Sequence, residues 1–131
     1  MSEQQNVKGP ILLVDDESSV LEALKSFFED EGYEVTTASD GLIALEQLKQ
    51  TSFDLVVTDI FMPKMSGIDL LKTIKTEYPL VEVIMITGFG SEASKKEALD
   101  LGAYDYFDKP LNILALLRSV FECLDKAKDK K

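Results

Sequence analysis

Short apolar runs alternate with amphipathic segments along the chain. Two of the runs, "ILLV" and "VIMI", are apolar at every position, which is typical of strands covered on both faces of a sheet. Five runs rich in β-branched or other apolar residues have the length of strands, and they occupy residues 11–14, 33–37, 53–58, 81–86 and 104–107. The pattern therefore predicts five strands, of which at least the central ones are buried on both faces.

The segments between these runs carry apolar residues at helical spacing. In the first of them, Leu21, Leu24 and Phe28 share one face, as in a helix packed on a sheet. Similar stripes occur within residues 43–48, 68–74 and 111–124, and turn sequences rich in Gly, Pro and Asp separate the elements. Regular strand–helix alternation predicts an α/β fold: a doubly wound (βα)5 arrangement with a parallel sheet between two helix layers.

Length and composition fit one globular domain. The chain has 131 residues, of which 45% are hydrophobic, and we predict a single domain over residues 9–125 with flexible ends at 1–8 and 126–131. No apolar run approaches the roughly 20 residues of a membrane span. The polar amino end, "MSEQQNVKG", lacks the apolar centre of a signal peptide. We therefore expect a cytoplasmic protein without membrane contact.

Charge and missing residue types exclude several classes of function. The net charge of −10 disfavours direct nucleic-acid binding, which needs clustered Lys and Arg. The chain has no histidine, which excludes Ser–His–Asp and Cys–His catalysis, histidine metal sites and a role as phosphohistidine donor. Cys123 is the only cysteine, so a disulfide framework and a cysteine zinc site are excluded. The remaining chemistry belongs to carboxylates, lysines, hydroxyls and the backbone.

Polar side chains stand at the carboxyl ends of four predicted strands. They are Asp15 and Asp16 after the first strand, Asp59 after the third, Thr87 after the fourth and Lys109 after the fifth. Taken singly, each has an ordinary structural interpretation: a capping Asp, a strand Thr, a solvated surface Lys. In such sheets ligands bind outside the carboxyl ends of the strands, where strand order reverses. We therefore expect these side chains to converge on one pocket.

The residue types in this pocket fit phosphoryl chemistry. Three crowded carboxylates cannot all stay ionised without compensation, and Mg²⁺ is a cation that binds carboxylates together with phosphate. Lys109 and Thr87 are suited to hold phosphoryl oxygens, one by charge and one by a hydrogen bond. A carboxylate is the only nucleophile left, and attack by Asp59 on a phosphoryl group gives an aspartyl phosphate.

The chain resembles a known family in the segments "LLVDDE", "DLVVTDIFMPKMSG", "MITG" and "GAYDYFDKP", and in their order. It is similar to the response-regulator receiver domains of two-component signal transduction over nearly its whole length, roughly residues 9–124. The resemblance implies a flavodoxin-like fold with strand order 2-1-3-4-5. It also implies a phosphoacceptor signalling domain rather than an enzyme, one that takes part in its own Mg²⁺-dependent phosphorylation and slow self-dephosphorylation.

The resemblance implies roles for the pocket residues. Asp59 is the implied phosphoacceptor and also a metal ligand, while Asp16 ligates Mg²⁺ directly and Asp15 mainly through water. The backbone carbonyl of Phe61 is a further implied ligand, and Mn²⁺ is an implied substitute for Mg²⁺.

Four further residues have implied roles around the phosphoryl group. Thr87 contacts it, Lys109 pairs with it, and a cis peptide bond before Pro110 aims Lys109 inward. Tyr106 matches the family's switch aromatic, which fills space that Thr87 vacates on phosphorylation. The plainer interpretation of Tyr106 is a strand residue whose hydroxyl lies in water.

The resemblance also implies partners. They are a sensor histidine kinase, a downstream effector or fused output domain, and a second copy in a phosphorylation-dependent homodimer. The homodimer would use the surface of the fourth helix, fifth strand and fifth helix. "GAYDYFDKP" resembles receivers attached to ATPase-type transcription activators, which hints at the parent system only.

Three finer expectations concern aromatic and apolar residues. Phe61 and Phe89 each lie two residues beyond a pocket residue, where a side chain can screen the site from water, and we hypothesise that they tune hydrolysis of the aspartyl phosphate. The alternative is that they are ordinary loop anchors. The last helix has an apolar face wider than a core needs, and its excess is expected at Ile113, Leu116, Val120 and Cys123 as a partner face. The fourth helix, "SEASKKEALDLG", is poor in large apolar residues and is a candidate for motion.

Three other functions fit parts of the sequence. "GFGSEA" has the glycine spacing of a dinucleotide-binding loop, and Asp108 follows at a suitable distance, but the three acids stay unexplained. A phosphatase of the haloacid-dehalogenase type needs a second acid where this chain has Phe61. An interaction module independent of phosphorylation would not need the complete set of acids.

Overall fold

Strands and helices alternate throughout residues 8–130, the range that the computed structural model describes, with side chains described as far as Lys126. The elements are β1 (Lys8–Val14), α1 (Ser18–Asp30), β2 (Tyr33–Ala38), α2 (Gly41–Gln50), β3 (Leu55–Asp59), α3 (Gly67–Glu77), β4 (Glu82–Thr87), α4 (Glu92–Asp100), β5 (Asp105–Asp108) and α5 (Ile113–Lys130). The flexible ends predicted at 1–8 and 126–131 lie mostly outside the described side chains and stay a prediction.

The strands form one parallel sheet in the order β2-β1-β3-β4-β5. This confirms the predicted fold class and strand order. Val14 of β1 lies beside Thr58 of β3, Asp59 lies beside Ile86 of β4, and Thr87 lies beside Asp108 of β5. The carboxyl ends of four adjacent strands therefore meet at one edge, and the strand order reverses there between β1 and β3.

Two hydrophobic clusters cover the two faces of the sheet. Leu12 and Val14 of β1 belong to the cluster beneath α2, α3 and α4, whereas Ile11 and Leu13 belong to the cluster beneath α1 and α5. All four side chains are almost completely buried. Each such side chain contributes about 1.5–3 kcal/mol of transfer free energy. Burial on both faces explains why this strand is apolar at every position.

Helix α5 corrects one prediction. Leu116, Val120 and Cys123 are buried in the core, so they cannot form the expected partner face. Ile113 is half-buried, and the exposed large apolar residues among the described side chains of α5 are instead Leu114, at 76%, and Phe121, at 56%. The apolar stripe covers so much of the helix surface that the sequence does not specify which part of the stripe faces the sheet. Tertiary packing determines that part.

Helix α4 is anchored by little apolar surface, as predicted. Ala98 is its one buried residue among the described side chains. Its amino end is fixed by polar contacts instead, since the Ser91 hydroxyl accepts a hydrogen bond from Ser94 N–H and the Ser94 hydroxyl accepts one from Ser91 N–H. No helix within residues 8–130 is long and apolar enough to cross a membrane.

Candidate functional site

Three carboxylates meet at the carboxyl edge of the sheet. Asp15 directly follows β1, Asp16 is the next residue, and Asp59 is the last residue of β3. One carboxylate oxygen from each lies within 4.8 Å of the others. Asp15 is 1% exposed and Asp59 is 6% exposed, whereas Asp16 is exposed to solvent. The structure thus brings together the three acids that the sequence placed at adjacent strand ends.

Lys109 directly follows β5, an edge strand of the sheet, and its side chain reaches this cluster. Its ammonium nitrogen lies 3.0 Å from Asp15 Oδ2 and 3.2 Å from Asp59 Oδ2, and it donates to both. It also lies 3.3 Å from Glu17 Oε1. Sequence reasoning missed Glu17, although this acid directly follows the Asp15–Asp16 pair and that adjacency was the available signal. Lys109 therefore joins β1, β3 and β5 through charge-assisted hydrogen bonds.

The pKa directions of the two buried charges show how the site is balanced. Burial raises the pKa of the Asp15 carboxyl, and it outweighs the hydrogen bond from Glu17 N–H and the ammonium of Lys109, which lower it. For Lys109, burial lowers the pKa, but hydrogen bonds and charge from Asp15 and Asp59 outweigh it and hold the pKa above its ordinary value. The three clustered carboxylates outnumber the ammonium that contacts them, an arrangement that suits a further cation.

Backbone N–H groups orient the two buried carboxylates. Asp15 Oδ1 accepts a hydrogen bond of 2.9 Å from Glu17 N–H, and Asp59 Oδ1 accepts one of 3.3 Å from Phe61 N–H. Each carboxylate therefore has one oxygen on a backbone donor and the other on Lys109. Asp15 does not cap α1, because the residue that precedes α1 is Glu17, which makes no side-chain capping bond.

Gly67 allows the loop after Asp59 to fold back on the strand. Its N–H donates to the carbonyl of Ile60 at 2.7 Å. A Cβ atom added at Gly67 would overlap the carbonyl oxygen of Asp59 and would lie 2.8 Å from Ile60 Cα. The start of α3 therefore packs directly on the backbone of the candidate nucleophile, a contact that only glycine permits.

Thr87 and Pro110 also lie at the carboxyl edge of the sheet. Thr87 is fully buried at the end of β4, and its hydroxyl oxygen accepts a hydrogen bond of 3.2 Å from Phe89 N–H. The Lys109–Pro110 peptide bond is cis. The roles of Thr87 toward a phosphoryl group and of the Phe61 carbonyl toward a metal stay predictions.

Tyr106 points into the protein. The residue is 7% exposed, and its hydroxyl lies 2.8 Å from the Ser94 hydroxyl at the amino end of α4. Tyr106 is a strand residue of β5, as the plainer interpretation expects, but its hydroxyl contacts Ser94 in this structure. Ser94 was missed because the contact joins α4 to β5, and only its place in a Ser-x-x-Ser capping pattern marked it in the sequence.

Two exposed aromatic rings belong to the loops that follow β3 and β4. Phe61 is 53% exposed and Phe89 is 82% exposed, and their ring centroids are 6.4 Å apart in an edge-to-face arrangement. The two loops thus bring together two rings that lie far apart in the sequence. Their role in hydrolysis of the aspartyl phosphate stays a prediction.

Comparison with known proteins gives a consistent result. A family model of the response regulator receiver domain matches residues 11–121. The transcriptional regulatory protein ZraR of Klebsiella oxytoca is 42% identical over 114 residues, which cover 87% of this chain and 26% of that protein. CpxR, a transcriptional regulatory protein of Escherichia coli K12, is 42% identical over 113 residues, which cover 84% of this chain and 48% of that protein.

A solved structure matches the whole fold. The response regulator receiver domain protein from Clostridium thermocellum superposes with a TM-score of 0.89 at 35% sequence identity, covering 95% of this chain and 100% of that one. By contrast, the chain spans between a quarter and a half of the length of the two curated relatives.

Proposed function

Because the chain belongs to the response regulator receiver domain family, we propose that Asp59 accepts a phosphoryl group from a sensor histidine kinase. The observation that supports this most directly is the position of Asp59. It ends a central strand with one oxygen on Lys109, and its carboxylate lies within 4.8 Å of those of Asp15 and Asp16. A nucleophilic carboxylate needs neighbours that bind phosphoryl oxygens and their charge, and this site has both.

The donor set fits Mg²⁺. Asp15, Asp16 and Asp59 present hard carboxylate oxygens within 4.8 Å of one another, and these carboxylates outnumber the one ammonium that contacts them. We propose that these acids hold Mg²⁺ together with the backbone carbonyl of Phe61, and that Mn²⁺, which also prefers oxygen ligands, substitutes. When bound, the ion neutralises the carboxylates and polarises the incoming phosphoryl group.

Three residues of the chain have separate roles in the phosphoryl transfer. A carboxylate oxygen of Asp59 attacks phosphorus and an O–P bond forms. The P–N bond of phosphohistidine breaks and the imidazole leaves, or the P–O bond of acetyl phosphate breaks and acetate leaves. The Lys109 ammonium bridges Asp15 and Asp59 in the structure, and during the transfer it pairs with a phosphoryl oxygen. The Thr87 hydroxyl at the end of β4 donates to another. No proton is needed on Asp59, since a carboxylate is the nucleophile.

A signalling domain explains the site better than the two enzyme alternatives. A phosphatase of the haloacid-dehalogenase type lacks its second acid, because Phe61 occupies that position and turns its N–H toward Asp59. The glycine spacing of "GFGSEA" lies after β4, with only β5 to follow, whereas a dinucleotide loop follows the first strand of its sheet. We propose that turnover is limited to slow hydrolysis of the aspartyl phosphate.

The partners follow from the family and from the relatives. We propose that phosphorylation changes the surface of α4, β5 and α5, which then acts on a fused output domain or a separate effector, or pairs with a second copy. Both curated relatives are transcriptional regulatory proteins, so transcription is the favoured output. With a net charge of −10, this chain is not expected to contact nucleic acid itself.

Replacing Phe61 with asparagine is expected to speed hydrolysis of the aspartyl phosphate several-fold. The substitution removes one ring of the exposed pair with Phe89 and admits water to the site. Decay of the phosphorylated chain, followed by intact mass after removal of the phosphodonor, measures the rate. Leu80→Asn is the matched control, since Leu80 is also exposed but precedes β4 at the opposite edge of the sheet. Equal rates for Phe61→Asn and the parent chain would end the idea.

Phosphorylation itself is testable without the kinase. Purified protein is incubated with acetyl phosphate in Mg²⁺ or in a chelator, and intact mass reports the product. We expect one phosphoryl group per chain in Mg²⁺ and none in the chelator, because the acids repel the donor until a cation binds.

A further inference from the structure

A hydrogen bond joins the predicted switch aromatic to a helix. The Tyr106 and Ser94 hydroxyl oxygens are 2.8 Å apart, and Tyr106 is 7% exposed. Tyr106 lies on β5 and Ser94 lies in the first turn of α4, so the contact ties two of the three elements of the proposed output surface.

The capping network of α4 fixes the position of the Ser94 hydroxyl. Ser94 Oγ lies 3.1 Å from the Ser91 carbonyl oxygen, 3.0 Å from the Ser91 N–H nitrogen and 3.3 Å from Ser91 Oγ. In the contact between Ser94 and Tyr106, either hydroxyl can be the donor. The contacts with Ser91 therefore hold the Ser94 hydroxyl where it meets the hydroxyl of Tyr106.

Gly90 provides the space for this arrangement. A Cβ atom at Gly90 would overlap the Tyr106 hydroxyl and an oxygen of Asp108, and it would lie 2.9 Å from the Thr87 Cγ2 methyl group. The inward tyrosine thus lies next to the residue proposed to respond to the phosphoryl group. Any side chain at position 90 would compete with Tyr106 for its position.

We propose that Ser94 is a positioning residue that holds Tyr106 inward and so sets how readily the switch responds to phosphorylation. Apolar packing fixes α4 weakly, since Ala98 is its one buried residue among the described side chains, and one polar contact therefore has a large share in its placement. If phosphorylation favours the inward position of the Tyr106 ring, thermodynamic linkage requires the reverse as well. A contact that favours the inward ring then also favours phosphorylation. This second step, the effect on phosphorylation, rests on the proposed function, whereas the first step, the positioning of Tyr106, does not.

The first step is tested by NMR on tyrosine-labelled protein without a phosphodonor. Tyr106 is assigned by its loss in Tyr106→Phe, and its exposure is measured by broadening from a soluble paramagnetic agent. Ser94→Ala is expected to shift the inward-to-outward ratio of the ring about two- to tenfold, the range of one net hydrogen bond. Ser94→Thr keeps the hydroxyl and is expected to restore the parent behaviour. Gly90→Ala displaces the ring by crowding.

Ser91→Ala is the matched control, because it removes the Ser91 hydroxyl, which caps α4 and contacts Ser94 Oγ, but leaves the Ser94 hydroxyl and the two Ser91 backbone groups that hold it. If Ser91→Ala exposes Tyr106 as much as Ser94→Ala does, helix fraying explains the result and the proposal is overturned. An unchanged ring in Ser94→Ala overturns it as well.

The second step uses acetyl phosphate. Ser94→Ala is expected to lower the phosphorylated fraction in the parent background but not in Tyr106→Phe, which lacks the hydroxyl that contacts Ser94. A lower fraction in both backgrounds would contradict the linkage. If no variant is phosphorylated while the NMR result stands, the proposed function fails and the positioning role survives.

Discussion

Replacing Lys109 with methionine is expected to destabilise the fold by about 2 kcal/mol at neutral pH in the presence of a chelator. Removing one partner of a fully buried ion pair typically costs about 3–5 kcal/mol, and that value is reduced here because the Lys109 side chain is 18% exposed. The substitution keeps the length of the side chain but leaves buried Asp15 and Asp59 facing each other. Chemical denaturation measures the change.

The pH dependence of this variant identifies the cause. The folded pKa of Asp15 already lies above its unfolded value, and loss of the ammonium raises it further. A carboxyl with a raised folded pKa destabilises the fold while it is ionised, and the penalty disappears as pH falls through the folded pKa. The deficit of Lys109→Met should therefore shrink on acidification, and added Mg²⁺ should reduce it at neutral pH.

Lys96→Met is the matched control for the charge change. Lys96 lies 2.8 Å from Asp100, but both side chains are mostly exposed, at 78% and 65%. An exposed pair of this kind contributes less than about 1 kcal/mol. If Lys109→Met is no more destabilising than Lys96→Met, or if its deficit grows at lower pH, the electrostatic account of the site is wrong.

The second large effect is expected from Gly67→Ala, which should destabilise the fold by about 3 kcal/mol or more, the upper range for overpacking. The added Cβ would overlap the carbonyl oxygen of Asp59, so the strand end and the start of α3 cannot both keep their positions. Because the clash falls on backbone atoms, no change of side-chain rotamer relieves it. Thermal and chemical unfolding measure the loss.

Gly88→Ala separates this clash from a general effect of glycine replacement. A Cβ at Gly88 would meet only the Lys109 Cδ, at 3.9 Å, which is an ordinary contact. We expect Gly88→Ala to change the free energy of unfolding by less than about 1 kcal/mol. Equal stability of Gly67→Ala and Gly88→Ala would show that α3 can move away from Asp59 without penalty.

The sequence predicted the fold and the main site for one physical reason. Parallel strands buried on both faces are apolar throughout, so a polar residue at such a strand's end stands out, and the fold brings the ends together. Asp15, Asp59 and Lys109 were found in this way although Lys109 lies 94 residues beyond Asp15. The site therefore follows from topology rather than from local sequence.

Contacts between neighbouring elements escaped the same reasoning. The contact of Ser94 with Tyr106 depends on the placement of α4 over β5, and the strip of α5 that faces the sheet depends on packing. Glu17 carries no signal in the sequence beyond its place next to Asp15 and Asp16, and the reach of the Lys109 side chain brings it to the site. Single-sequence patterns describe the periodicity of each element but not its rotation against its neighbours.

The site also shows a balance between stability and function. Asp15 is buried where its ionised form is unfavourable, so an apolar or neutral residue would suit the fold better. The same buried carboxylate belongs to the acid cluster for which we propose a bound cation and, beside it, a phosphoryl group. A residue that costs stability in this way is typical of a functional site, in a protein whose other residues favour the fold.

The most direct test of the central claim is the location of the phosphoryl group after incubation with acetyl phosphate and Mg²⁺. We predict a single phosphoryl adduct that maps by peptide mass to the segment containing Asp59 and is absent from Asp59→Ala. Asp30→Ala removes an exposed acid at the end of α1, away from the site, and should be phosphorylated like the parent. A folded protein that gains no phosphoryl group in Mg²⁺, or an adduct that persists in Asp59→Ala, would contradict the account.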